Sequence, residues 1–225
     1  MSNIDKPSYE PPESGAEKEQ SDTTSEIIGV VSKLMDGAVP SDVDPAGRTY
    51  ATREGFSLST GTSTDGRPLF TIEQRGGEVD PGFLPVYNVV PAAEGNPGVV
   101  ANRLGEEIND PEETKKLLAE LEVTVDAPGT VVWQAVDALS AEHQGEFKEV
   151  RHAGGSRQTL TVGDVQYEVD VGSGSVRYTL KVPSGEFILD GYGGELRHAD
   201  DRAERVSDIE LAKQVASEIR QAQSE

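Results

Sequence analysis

The chain has 225 residues, of which 27% are charged, with a formal net charge of −21 and no cysteine. The length allows one large core or two small ones, and the missing thiols exclude disulfides, thiolate catalysis and cysteine-ligated zinc. So acidic a surface repels nucleic acid and anionic lipid. No apolar run reaches the ~20 residues that would span a bilayer, and no basic segment followed by an apolar one marks a secretory signal. The expectation is a soluble cytoplasmic protein whose partner is another protein, or a second copy of itself, with no direct nucleic acid and no membrane.

Residues 1–22 carry six acidic residues, two lysines and three prolines. With almost nothing to bury, they are expected to be a disordered tail. Residues 23–37 are expected to be a helix, opened by a capping box of Thr23 with Glu26 and followed by Gly37. Ile27, Ile28, Val30, Val31, Leu34 and Met35 make it apolar over more than half its circumference, so it belongs in the core or against another chain. Ile27, Ile28 and Val31 are therefore candidate interaction residues. Asp36, Asp42 and Asp44 make an acidic stretch that leaves a divalent cation open, although the fixed spacing of a calcium loop is missing. No other cofactor is implied.

Residues 48–75 are expected to form a small β-unit. Phe56 and Leu58 mark one strand, Phe70 and Ile72 another, and Thr64-Asp65-Gly66 the turn between them. Residues 83–90 are apolar on both faces, as in a central strand. Residues 91–105, rich in Pro, Gly and Asn, read as a linker between an N-terminal half (23–98) and a C-terminal half (106–225). A helix is expected over 110–121, with Asp110 as cap, Pro111 at the first position, and Glu112 and Glu113 at the positive end of the dipole. A short strand is expected at 122–126 and a second helix over 130–143. Trp133 lies on that helix beside Val132 and Val136, as a core anchor or an interface hot spot.

Residues 157–190 carry the strongest signal, four antiparallel strands in succession. Val165, Tyr167, Val169 and Val171 alternate with polar residues, as do Val176, Tyr178, Leu180 and Val182. Gly163-Asp164, Ser173-Gly174 and Pro183-Ser184 supply the turns. A two-residue turn at 173–174 sets Val171 against Val176, Val169 against Tyr178 and Asp170 against Arg177, an opposite-charge pair across strands. An odd loop would expose the valines. The apolar face needs a cover, and the last segment, about 201–221, provides it with Val206, Ile209, Ala212, Ala216 and Ile219 at helical spacing. Asp201 with Glu204, or Ser207 with Glu210, would start that helix. Gly191-Tyr192-Gly193-Gly194 lacks the Lys-Ser/Thr ending of a phosphate loop and reads as a bend. The fold class is thus α+β, an antiparallel meander packed on a C-terminal helix, with a smaller N-terminal helix-plus-β half. Phe70-Thr71-Ile72 and Tyr178-Thr179-Leu180 fall at one constant offset, as do Gly55 and Gly163, and Gly66 and Gly174, which suggests a duplicated unit.

Chemistry is sparse. The three histidines form no metal-spaced pair. Glu168 and Asp170 share the polar face of the meander about 7 Å apart by strand rise, a separation that glycosidases use. The same face holds Arg177, Thr179 and Lys181, a cationic strip that could receive an acidic peptide, and Arg177 and Lys181 complete the candidate interaction residues. The expected function is a non-enzymatic acidic protein-interaction module, such as a chaperone-like protein, an inhibitor or an assembly subunit. Two alternatives stand beside it: a hydrolase dependent on carboxylates or a divalent cation, and an acidic decoy of a nucleic-acid-binding protein.

Overall fold

A computed structural model describes residues 15–38, 47–75, 84–94, 96–172, 174–200 and 202–224. In chain order the first elements are α1 (Gly15–Leu34), β1 (Tyr50–Arg53), β2 (Phe56–Thr62), β3 (Pro68–Gln74), β4 (Val86–Val90), β5 (Val99–Ala101) and α2 (Pro111–Val125). Then follow α3 (Pro128–Glu142), β6 (Lys148–His152), β7 (Gly155–Val162), β8 (Val165–Gly172), β9 (Ser175–Val182), β10 (Gly185–Leu189), β11 (Leu196–His198) and α4 (Ile209–Ala222). Two antiparallel sheets result, ordered β1-β2-β3-β4-β5 and β11-β10-β9-β8-β7-β6.

Among the described residues the two sheets belong to two runs of the same arrangement, a helix, a five-stranded meander and a helix, to which the second run adds a 3-10 turn (Gln144–Glu146) and the strand β6. The turns correspond. Arg53 pairs with Phe56 across Glu54-Gly55, and Val162 with Val165 across Gly163-Asp164. The closing helices correspond residue by residue. Asp110 caps α2 by accepting from the Glu112 amide, and Asp208 caps α4 by accepting from those of Glu210 and Leu211. Just before each cap, the Ile108 amide donates to Val100 and the Val206 amide to Leu196. The inward residues of α2, Thr114, Leu117, Leu121 and Thr124, answer to Ala212, Val215, Ile219 and Ala222 of α4. The repeat suggested by the strand residues therefore extends to the order of elements and to the caps.

Each half buries its helices on one face of its sheet. In the first core, Ile27, Val31 and Leu34 of α1 and Leu117 and Leu121 of α2 lie on Phe56, Leu58, Ile72 and Val89. In the second, Val132, Val136 and Leu139 of α3 and Val215, Ala216 and Ile219 of α4 lie on Leu160, Tyr167, Leu180, Phe187 and Leu189. The meander has the expected register: Val171 opposite Val176, Val169 opposite Tyr178, Asp170 opposite Arg177. Its apolar side is covered by α3 and the terminal helix, as its alternation demands, except at the turn end, where Val171 and Val176 are 40% and 47% exposed.

Several boundaries differ from the sequence reading, each for a physical reason. Helix α1 begins at Gly15, so residues 15–22 of the expected tail are helical and Thr23 is a buried mid-helix residue. The run Ala16-Glu17-Lys18-Glu19-Gln20 consists of strong helix formers. Residues 1–14 of that tail lie outside the described residues. The expected linker contains β5, whose Val100 is buried against β4. The expected strand at 122–126 is the last turn of α2, because Leu121 and Thr124 continue its buried stripe; α2 itself joins the first core, on the other side of the boundary drawn at 106. Helix α4 starts at Ile209 behind Asp208, and Val206 is buried just ahead of it. Phe83, Ser173 and Asp201 lie outside the described residues.

Ile219 is fully buried at the centre of the second core. Replacing it with alanine is expected to lower unfolding free energy by about 2–5 kcal/mol, lost transfer plus cavity. Urea unfolding of Ile219→Ala should show that deficit; a loss below about 1 kcal/mol is outside the range for such a site.

Candidate functional site

Of the residues singled out from sequence, most are committed to the interior. Ile27 and Val31 are 0% and 1% exposed in the first core, and Ile28 packs half-buried at its edge. The apolar breadth of α1 is thus consumed by α2 and the first sheet, which removes that face as a docking surface. Trp133 is buried in the second core, with its ring edge-on to Tyr178 at 5.2 Å, and Tyr178 stacks in turn on Tyr167. It is a core anchor. Arg177 and Lys181 are exposed on the side of the second sheet away from α3 and α4.

That uncovered side follows from strand alternation. Residues directly opposite share a face, so Val150, Arg157, Asp170 and Arg177 form one row across β6 to β9. The row two residues along runs Lys148, Thr159, Glu168, Thr179, Ile188 and Arg197. None of these ten side chains is buried. The Asp170 carboxylate accepts from Arg157 Nη2 at 2.7 Å and meets His152 Nε2 at 3.2 Å. Arg157 Nε also lies 3.3 Å from Glu168. The Arg157 hydrogen bond holds the Asp170 carboxyl below the usual carboxylate range, against the opposing effect of desolvation, and His152 adds to the lowering.

This geometry corrects two expectations. Asp170 and Arg177 do stand opposite each other, but the carboxylate is taken by Arg157 from the strand on its other side. Arg177 is left without an ion pair among the described residues, and Lys181 pairs with Glu186 at 3.6 Å. Nor do Glu168 and Asp170 make an acid–base pair. A glycosidase needs one carboxyl raised so that it carries a proton, whereas here both share one guanidinium and Asp170 is lowered.

A second polar site escaped the sequence reading: the joint between the halves. The β1–β2 turn reaches out of the first sheet to the start of α3. Arg53 is fully buried; it donates to the carbonyls of Leu34, Thr52 and Asp36 and forms a 2.7 Å ion pair with Asp137 of α3. Glu54 accepts from the Gly129 amide at 2.8 Å and pairs with Arg205, and its own amide donates to Thr130 Oγ1 at 3.1 Å. The Gly55 amide donates to Gly193 O at 2.7 Å. A Cβ at Gly129 would overlap the Gly194 carbonyl, and one at Gly194 (φ +72°) the backbone of Arg53. The bend at 191–194 is thus glycine-rich because two chain segments cross there.

Beside the joint lies a cleft of about 420 Å³ lined by Glu54, Arg75, Asp190, Tyr192, Glu195, Arg197 and Arg205. Its cations are already matched: Arg75 with Glu73 at 3.0 Å, Arg197 with Glu195, Arg205 with Glu54 and Glu195. Arg75 also lies over the Tyr192 ring at 4.8 Å. Of these pairs Arg205–Glu54 joins the two halves, and the matched charges leave no surplus positive charge for an anion. Among the described residues, the carboxyl pushed up by burial is that of Asp137, and its partner is Arg53. Among the described residues no three His, Asp or Glu side chains gather as a metal site, and Asp42 and Asp44 lie outside those residues. No helix among them is long and apolar enough to cross a membrane.

No protein-family model matches this chain, no curated protein matches it, and no solved structure matches it.

Removing Arg53 strands Asp137 and the carbonyls of Leu34 and Asp36. Arg53→Ala should therefore cost about 3–5 kcal/mol at neutral pH, as for a broken buried pair. Burial holds the Asp137 carboxyl up and Arg53 pulls it down, so the variant raises it further. A carboxyl raised in the folded state stabilises at low pH and loses that contribution as pH rises through its folded pKa. The deficit relative to the parent should therefore shrink towards acid; denaturant curves at neutral and acidic pH showing a constant deficit would place the loss in packing alone.

Proposed function

We propose that this protein is a non-enzymatic interaction module of the cytoplasm, which receives an acidic, strand-length segment of a partner protein on the uncovered face of its second sheet. The observation that carries the reading is the one-sided construction of that half. Both helices lie on one face, and the other, which no described element covers, carries Lys148, Arg157, Arg177, Lys181 and Arg197. These are five of the 20 lysines and arginines in a chain of net charge −21. Two of the five, Lys148 and Arg177, make no ion pair among the described residues. A partner with carboxylates at every second position would match the row spacing of the strands, and the acidity elsewhere would repel it from other docking positions.

Further support comes from how the carboxylates are used. Glu54, Glu168, Asp170 and Glu195 are each held by an arginine. A row of free carboxylates, as a decoy for a phosphate-binding protein requires, is not what this face presents.

A fluorescein-labelled decamer of glutamate provides the test, with a lysine decamer as control. Anisotropy at low salt should detect the glutamate peptide. Arg177→Glu combined with Lys181→Glu should weaken it about ten-fold, from two reversed surface charges worth roughly 0.2–1 kcal/mol each before reversal. Equal affinity in parent and variant would remove this face from the interaction.

A further inference from the structure

Among the described residues, β6 is the strand that the repeat does not explain. The first half closes its sheet with β1, the counterpart of β7, whereas the second adds Lys148–His152 beyond β7. All five residues are exposed, so the strand covers no core, and Val150 is 62% exposed. Its outer backbone edge has no strand beside it among the described residues. A terminal strand that buries no side chain gains little from its own sheet. Its value has to lie in what pairs with it.

Edge strands usually carry charge to block such pairing. Here the order of the charges has a different consequence. Written from either end, Lys148-Glu149-Val150-Arg151-His152 places a carboxylate and a guanidinium symmetrically about Val150. Laid antiparallel on a second copy and centred on Val150, Glu149 faces Arg151 of that copy, Arg151 faces its Glu149, and the two valines meet. Opposite charges directly across antiparallel strands stabilise, and like charges destabilise. A slip of one pairing step in either direction sets Glu149 against Glu149 or Arg151 against Arg151. The sequence thus favours one register and opposes its neighbours. Within one chain Arg151 and Glu149 approach only to 3.6 Å, with Arg151 85% exposed.

We infer that β6 is a self-pairing edge, through which two copies of this chain join antiparallel about Val150. The two-fold axis of such a pair runs perpendicular to the sheet, so the two six-stranded sheets become one of twelve strands. All four helices of the paired halves then lie on one side, and the two faces carrying Arg177 and Lys181 lie together on the other. Val150 shares the face of Arg157 and Arg177 and fills the seam. This deepens the proposed interaction surface and rests on that reading, since pairing doubles the length of the open face offered to a partner strand.

The test is oligomeric state by light scattering and sedimentation velocity, on the full chain and three variants, at about 100 µM, where a micromolar dimer is populated. The parent should be dimeric. Glu149→Arg and Arg151→Glu each set like charges across the seam, and each alone should weaken the dimer at least ten-fold. The double exchange Glu149→Arg with Arg151→Glu restores the pairing and should restore the dimer, as should mixing the two single variants. The inference is overturned by a monomeric parent, by single variants as dimeric as the parent, or by a double exchange that stays monomeric. A monomeric parent that still binds the glutamate decamer would sink the dimer and leave the interaction surface standing.

Discussion

A buried arginine at the end of β1 shapes the molecule more than any other polar residue. Arg53 is wholly enclosed, and its guanidinium and Nε reach the end of α1, the strand it sits on, and Asp137 of α3. An ion in the interior costs several kcal/mol to desolvate and is tolerated only when its donors are used. The contact therefore ties the first half to the second in one geometry. Glu54, next in the chain, extends the tie to Gly129, Thr130 and Arg205. Without this turn the two halves would meet through a short connection between α2 and α3 and little apolar surface, since the two cores have no buried residue in common.

The same turn is a place where the two runs of elements differ. Its counterpart in the second half, Gly163-Asp164 between Val162 and Val165, ends a hairpin in the ordinary way. In the first half Arg53 stands where Val162 does and Glu54 where Gly163 does, and both charges reach α3 of the other half. The second half differs again at its outer side, where β6 is added. The two departures from the repeat thus have separate uses, one holding the halves together and one extending the open sheet. The added strand widens the face proposed for binding, and the turn gives that sheet a fixed base.

The second half was legible in sequence because its signals are local. Strict alternation from Val165 to Val182, with turn residues at even spacing, leaves one register that turns Val165, Tyr167, Leu180 and Val182 into the core, and that register is present, with Val171 and Val176 exposed beside the turn. The Asp110-Pro111-Glu112 start of α2 is equally local. What could not be read depends on neighbours. Val99–Ala101 is too short, and too surrounded by Pro and Gly, to signal a strand until β4 is beside it. Val123 and Val125 favour a strand by themselves, yet the stripe of Leu117, Leu121 and Thr124 keeps the chain helical. The charged β6 carries no apolar pattern at all. At the candidate site, Asp170 was placed opposite the right residue and paired with the wrong one, because sequence shows one neighbouring strand at a time and a sheet has two. Arg53, Glu54 and Asp137 are far apart in the chain and follow no motif, and the only trace of their joint is the glycine run at 191–194.

A scaffold in which one enclosed arginine couples two otherwise separate cores should unfold as one unit. Differential scanning calorimetry of the full chain tests this most directly, through the ratio of calorimetric to van't Hoff enthalpy. The account predicts a single transition with a ratio near one, as for a two-state molecule. Two resolved transitions, or a ratio near two, would mean that the halves melt independently and that the Arg53–Glu54 turn does not couple them.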